Sequence, residues 1–263
     1  MPERLPISLC MIAGTEAGQI GDSLAAVADW VAEMHVVIND TVADGTDEIA
    51  RRHGATVHRE PWKGHVAQKN SALNKATQPW VLGLDADEVV SAPLREEIFQ
   101  LFAGLGGDEL TGGPAAYSFP RCTMVCGRFL RHGDWYPDRQ TRLWRRGRAK
   151  WAGENPHDKL AVDGSIGRLR NDLLHYGVPE LNRQLAKIGP YTDDFVRQRL
   201  ARGQNAGGLA LLLRPWWTFI RGYFLRLGFL DGWQGYYVAR MNAFTTLTRY
   251  VKLREARRRK PSN

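Results

Sequence analysis

The chain has 263 residues, 43% of them hydrophobic and 24% charged, with a formal net charge of +8. That length and balance suit a folded protein with a sizeable core and exclude a disordered chain. Three cysteines, Cys10, Cys122 and Cys126, give no disulfide framework and no zinc-site spacing, which fits a reducing compartment.

The chain opens in the alternating manner of an α/β protein. Ile7 to Ala13 reads as a short apolar strand, and Gln19 to Trp30 as a helix with Ile20, Leu24, Val27 and Val31 on one side. Met34 to Asn39 is a second strand, and Asp44 to His53 a short helix that Asp44 or Thr46 is placed to cap. Thr56 to His58 is a third strand, His65 to Thr77 a helix, and Trp80 to Asp85 a fourth strand. A helix follows Pro93 to Phe102, then a Gly-rich loop from Gly104 to Pro114, a strand at Tyr117 to Cys122, and a segment from Arg128 to Trp151 dense in Arg and aromatics. The N-terminus runs into its strand without a signal-peptide core, and no stretch of roughly 18 apolar residues occurs. The expectation is a cytoplasmic protein that spans no membrane.

Charge divides the chain. From Phe195 to Asn263 there are 14 Lys/Arg against only Asp231 and Glu255, a balance of +12, whereas the first 194 residues carry −4. The same tail holds 12 of the 26 aromatic residues. With the Gly/Asn cluster between Leu200 and Gly208, this sets an expected boundary between residues 1–200 and a basic, aromatic, helical appendage, 201–263.

The most informative run is Trp80-Val81-Leu82-Gly83-Leu84-Asp85-Ala86-Asp87-Glu88. A buried strand here delivers three carboxylates at its C-terminal end, where open α/β sheets bind ligands. Carboxylate oxygens suit Mg²⁺ or Mn²⁺, ions that complete their shells with substrate phosphates. An acidic strand end also belongs to ATPases, but their G-x-x-x-x-G-K-[ST] loop is missing from this chain.

Other pieces stand around that run: Asp44-Gly45-Thr46, Gln68-Lys69-Asn70, Trp135-Tyr136-Pro137-Asp138 with Arg142-Leu143, His157, His175-Tyr176, and Gly228-Phe229-Leu230-Asp231-Gly232. In their order and spacing, over nearly the whole length, the chain resembles a family 2 glycosyltransferase of the lipopolysaccharide-core glucosyltransferase type. The resemblance implies a GT-A fold, a Rossmann-like mixed central sheet flanked by helices, and an inverting, metal-assisted hexosyl transfer from a nucleotide-sugar, with UDP-glucose the chosen donor. It departs from the family in having Thr15-Glu16 where Asn-Glu is usual, and Asn39-Asp40 where the second strand ends in an Asp that meets the nucleoside.

The resemblance implies that Asp138 is the general base, with Asp134, Glu154 and Asp158 as competitors. It implies a divalent cation on Asp87 and His157, with diphosphate contact the other role open to His157, and a donor site of Glu16, Asn39, Asp40, Gln68, Lys69, Asn70, Asp85 and Arg142, with Asp85 near the ribose; Arg139 and Arg142 offer charge to steady a phosphate. Arg145, Arg146, Arg148 and Lys150 offer charge to an anionic acceptor, or form a solvated hairpin edge. In the tail, Arg214 to Arg226 interleaves Trp, Phe and Leu with Arg, the character of a helix lying in an anionic membrane interface. The expected partners are therefore a nucleotide-sugar, a lipid-linked or lipopolysaccharide-core glycan, and the inner face of the cytoplasmic membrane. Two rivals remain: a catalytically inactive GT-A scaffold on the membrane, and a basic nucleic-acid binder, for which no motif is visible.

Overall fold

The computed structural model describes residues 4–104, 113–154, 157–177, 181–204 and 207–258, without the side chains of Glu154, His157 and Arg183. The chain forms two compact units, one of residues 1–121 and 138–176, the other of residues 122–137 and 177–263. Compactness thus puts the later boundary at Tyr176/Gly177, earlier than the one expected from composition at residue 200.

The first unit is built on strands β1 (Leu5–Ala13), β2 (Val31–Asn39), β3 (Thr56–Glu60) and β4 (Trp80–Asp85), which run parallel in the order β3-β2-β1-β4. Helices α1 (Ile20–Ala25), α2 (Thr46–Arg52) and α3 (His65–Leu73) connect them. Strand β4 is buried on both faces, as an interior parallel strand should be, and this explains its unbroken apolar run. Trp80, Leu82 and Leu84 enter one core with Leu9, Met11 and Leu143; Val81 enters the opposite one with Cys10, Trp144 and Trp151. A Cβ at Gly83 would fall 2.4 Å from the Trp144 ring, so glycine is what lets that indole close on the strand. Burial pushes the Cys10 thiol up to about 12, leaving it an inert core side chain.

Beyond β4 the sheet turns antiparallel. Strand β5 (Glu88–Val90) and helix α4 (Ala92–Gly104) follow the acidic turn, then β6 (Ala116–Val125), β7 (Arg128–Phe129) and β8 (Asp138–Arg145). β8 inserts between β4 and β6, antiparallel to both. β9 (Ala149–Glu154) and β10 (His157–Val162) make a separate hairpin. β11 (Ile166–Arg168) runs parallel to β6, and β12 (Leu173–His175) pairs antiparallel with β5. This mixed sheet with flanking helices carries out the expected architecture. Most of the expected Gly-rich loop, residues 105–112, lies outside the described residues.

Several local expectations change: α3 ends at Leu73 instead of Thr77, and β2 begins at Val31 instead of Met34. Regular helix stops at Ala25 instead of reaching Trp30, because the Val27 and Trp30 amides bond the carbonyls three residues back, Leu24 and Val27. Ile20, Leu24 and Val27 remain buried, so the apolar spacing was real although the helix tightened into turns. The N-cap of α2 is Gly45, at φ 88°, and Asp44 acts from one residue earlier, accepting from the Thr46 amide at 3.1 Å and its hydroxyl at 2.6 Å.

The second unit contains α5 (Leu181–Ala201), α6 (Gly208–Ile220) and α7 (Gly232–Arg258). Helix α6 runs into a π-helical turn, Arg221–Leu225, and a 3₁₀ turn, Gly228–Asp231, precedes α7. Asp231 is buried and accepts from the Arg131 and His132 amides at 3.0 and 2.8 Å, tying Cys122–Pro137 to these helices. No helix among the described residues is long and apolar enough to cross a membrane.

Candidate active site

The parallel strands of the first unit end along one edge. Register places Asp85 beside Ile12, and Ala13 beside Ile38, so Glu16 on the β1 loop, Asn39 and Asp40 at the end of β2, and Asp85 at the end of β4 gather there. Antiparallel β8 starts at this edge and returns from it, bringing Asp138 and Arg142 from the opposite direction. A cleft of about 430 Å³ opens among Lys69, Asp85, Arg121, Arg142, Trp151 and Asp158.

Charge within the cleft alternates. The Asp85 carboxylate accepts from Lys69 Nζ at 2.8 Å and from Arg142 Nη2 at 2.5 Å. Burial opposes its ionised form, but Arg142 and Lys69 outweigh that and hold its carboxyl well below the usual range. Arg142 is nearly buried; despite the cost of burying it, Asp85 and Glu88 raise its pKa further and keep it charged. Lys69 also meets Asp158 at 2.8 Å and lies 4.4 Å above the Trp151 ring. Asn70 clamps Trp151, accepting from its backbone amide at 3.0 Å and donating to its carbonyl at 2.9 Å.

Glu88, with no exposed surface, lies between two arginines. Its Oε1 accepts from Arg142 Nη2 at 2.7 Å and Arg121 Nη1 at 3.2 Å, and its Oε2 from the Asp85 amide at 3.1 Å. Arg121 then grips Asp138 Oδ2 through Nε at 2.9 Å and Nη2 at 2.6 Å, and Gln140 Nε2 bonds Oδ1 at 2.9 Å. The β6–β8 register, Arg121 opposite Asp138, makes this contact. One unbroken sequence of ion pairs therefore runs Asp85–Arg142–Glu88–Arg121–Asp138.

Asp87 stands on the turn after β4, its carboxylate 3.4 Å from His175 Nε2 and its carbonyl accepting from the Tyr176 amide at 2.8 Å. Among the described residues no three His, Cys, Asp or Glu side chains converge as a ready metal site. The side chain of His157 lies outside the described residues, as does that of Glu154. Burial raises the Glu16 carboxyl, and the carboxylates of Asp87, Asp44 and Asp85 push it the same way, while the Gly14 amide opposes the shift. These neighbouring acids add negative charge around Asp87. An ion bound through one carboxylate and an imidazole, its shell completed by diphosphate oxygens and water, fits these residues.

Several expected residues have other tasks. Gln68 is buried, its Oε1 accepting from the Lys63 amide at 3.3 Å and its Nε2 left without a partner among the described residues, and both ends of the Asn70 amide bond Trp151. Asn39 Oδ1 accepts from the Thr41 amide at 3.4 Å and remains at the strand edge beside exposed Asp40. Asp134 belongs to the second unit, held by Arg221 at 2.9 Å and Arg226 at 3.2 Å. Asp158 is tied to Lys69, whereas Asp138 combines arginine support with a part-exposed carboxylate. Arg145 pairs with Trp80 at the start of β4, so the Arg145–Arg148 cluster lies at the edge opposite Asp85 and lines a different pocket of about 400 Å³. Sequence reasoning gave no role to Arg121 or Trp151, because only strand register and hairpin folding bring them in.

Residues 8–155 match the sequence model described as "Glycosyl transferase family 2". An uncharacterized glycosyltransferase of Rickettsia felis is 27% identical over 265 residues, 95% of this chain and 90% of that protein. The lipopolysaccharide core biosynthesis glycosyltransferase LpsC of Rhizobium meliloti is 28% identical over 231 residues, 85% of this chain and 83% of its own length. Among solved structures, the mannosyltransferase PcManGT of Pyrobaculum calidifontis, in complex with GDP-Man and Mn²⁺, has a TM-score of 0.53 at 14% identity, covering 96% of this chain and 88% of that one. The shared fold is GT-A.

Proposed function

Because the chain belongs to glycosyl transferase family 2, we propose that it is an inverting hexosyltransferase that moves glucose from UDP-glucose to a lipid-linked or lipopolysaccharide-core acceptor. The observation that carries the reading is the ion-pair sequence joining Asp85, at the donor edge, to Asp138 at the head of β8. The likeness to LpsC supports a lipopolysaccharide-core acceptor, and the PcManGT complex supports a nucleotide-sugar with a divalent ion.

In this reading Asn39, Asp40 and Glu16 face the nucleoside, and Asp85, positioned by Lys69 and Arg142, meets the ribose. Arg142 and Lys69 supply positive charge toward the diphosphate. Asp87, with His175 and His157, would hold Mg²⁺ or Mn²⁺, which supplies Lewis-acid stabilisation to the leaving diphosphate when bound. Asp138 takes the acceptor's hydroxyl proton as its oxygen attacks the anomeric carbon from the face opposite the nucleotide, and the anomeric C–O bond breaks toward UDP. The second unit exposes Leu209, Leu212, Trp216 and Trp217 on α6 and Trp233 and Tyr236 on α7, interspersed with arginines. This face is proposed to rest on the anionic inner leaflet, which places the protein at the cytoplasmic surface where such acceptors are built.

The test is transfer from UDP-glucose with Mn²⁺ to core-truncated lipopolysaccharide. Asp138→Asn is expected to lower kcat by about 10²–10⁴-fold while UDP binding persists. Wild-type kcat in that variant would remove Asp138 from the role of base.

A further inference from the structure

We propose that Arg121 and the buried Glu88 are positioning residues that lock Asp138 with one lone-pair site of its carboxylate left for the acceptor. This rests on Asp138 being the base.

A carboxylate offers about four lone-pair sites, two on each oxygen. At Asp138, Oδ2 already takes two hydrogen bonds, both from Arg121, at 2.9 and 2.6 Å. Oδ1 takes one, from Gln140 Nε2 at 2.9 Å. The remaining site is on Oδ1, so the acceptor hydroxyl donates there: its O–H bond breaks, Oδ1–H forms, the oxygen bonds the anomeric carbon, and the C–O electron pair leaves with UDP. Two N–H groups of one rigid guanidinium hold Oδ2 while Gln140 holds Oδ1, and the two anchored oxygens together fix the carboxylate plane.

Arg121 is itself held, since Nη1 meets Glu88 Oε1 at 3.2 Å. Glu88 shares that oxygen with Arg142 at 2.7 Å and anchors the Asp85 amide through Oε2 at 3.1 Å. One buried carboxylate therefore neutralises two guanidinium groups, one facing the donor residue and one facing the base. The arrangement predicts different signatures. Loss of Arg121 disturbs the base alone, whereas loss of charge at Glu88 disturbs the base and the donor site together.

The experiment uses the full chain with UDP-glucose and Mn²⁺ as donor, core-truncated lipopolysaccharide as acceptor, and UDP as the binding probe. Arg121→Gln should lower kcat by about 10²-fold with UDP affinity within about twofold of wild type, whereas Glu88→Gln should lower both. Guanidinium ion added to Arg121→Ala should restore at least about tenfold in kcat, and should restore nothing to Asp138→Asn. Should Arg121→Gln fail to fold, Arg121→Lys decides, because it keeps the charge and loses the fork: kcat should fall about tenfold with UDP affinity unchanged. Unaltered kcat in the Arg121 variants, or equal losses of kcat and UDP affinity in them without guanidinium rescue, would overturn the proposal and leave Asp138 as base. An active Asp138→Asn protein would overturn the base assignment itself, and the proposal with it. A wild-type protein that turns over neither UDP-glucose, GDP-mannose nor ADP-heptose would overturn both.

Discussion

Glu60 shows how much a single side chain organises at the end of β3. It accepts from the Ser71 hydroxyl at 2.6 Å and from Lys75 and Lys63 at 2.9 Å each. The Ser71 hydroxyl, then the two lysines, hold its carboxyl down to about 2. An unfolded glutamate titrates near pH 4.3, so the folded group is depressed, and its stabilising contribution is complete above about pH 4.3 and lost as pH falls toward 2. Urea midpoints measured from pH 6 down to 2 should therefore fall more for wild type than for Glu60→Gln, with the two converging at the acid end. Parallel curves would contradict this. At the same scale, the acidic turn at Asp85 and Asp87 stood out because carboxylates follow an apolar strand there, whereas Asp138 was singled out only through the family resemblance. Arg121 and Glu88 were not legible in role: an arginine in a strand shows its partner only when the facing strand and its register are known.

Elements followed their sequence signals where burial and pattern agreed. β4 is apolar because both its faces are covered, and α4 (Ala92–Gly104) encloses the expected helix after Pro93, whereas α3 stops at Leu73, short of the expected Thr77. The shortened α1 and the glycine cap of α2 depended on competition between hydrogen-bonding options within one turn, which apolar spacing does not resolve. The three-residue strands β5, β11 and β12 are too short to carry a period. They exist because partner strands offer unpaired backbone, so they escape any local reading.

For the whole molecule, the contrast between a body of net −4 and a tail of net +12 was visible at once. The contribution of Cys122–Pro137 to the second unit was not, since Asp231 gathers that segment through tertiary hydrogen bonds. The exposed tryptophans and leucines of α6 predict binding to vesicles containing phosphatidylglycerol, weakened by salt and reduced about tenfold or more when Trp216 and Trp217 are both changed to Ala. Equal recovery of both proteins in the supernatant at low salt would refute the membrane face.

The most direct test of the account is the melting temperature of wild type and Asp87→Ala with UDP, GDP and ADP, each with and without Mn²⁺. The account predicts stabilisation by UDP that requires Mn²⁺ and disappears in Asp87→Ala, worth about 2.7 kcal/mol at a hundredfold excess over Kd. A wild-type protein indifferent to every nucleotide, with or without metal, would contradict it and point to an inactive GT-A scaffold.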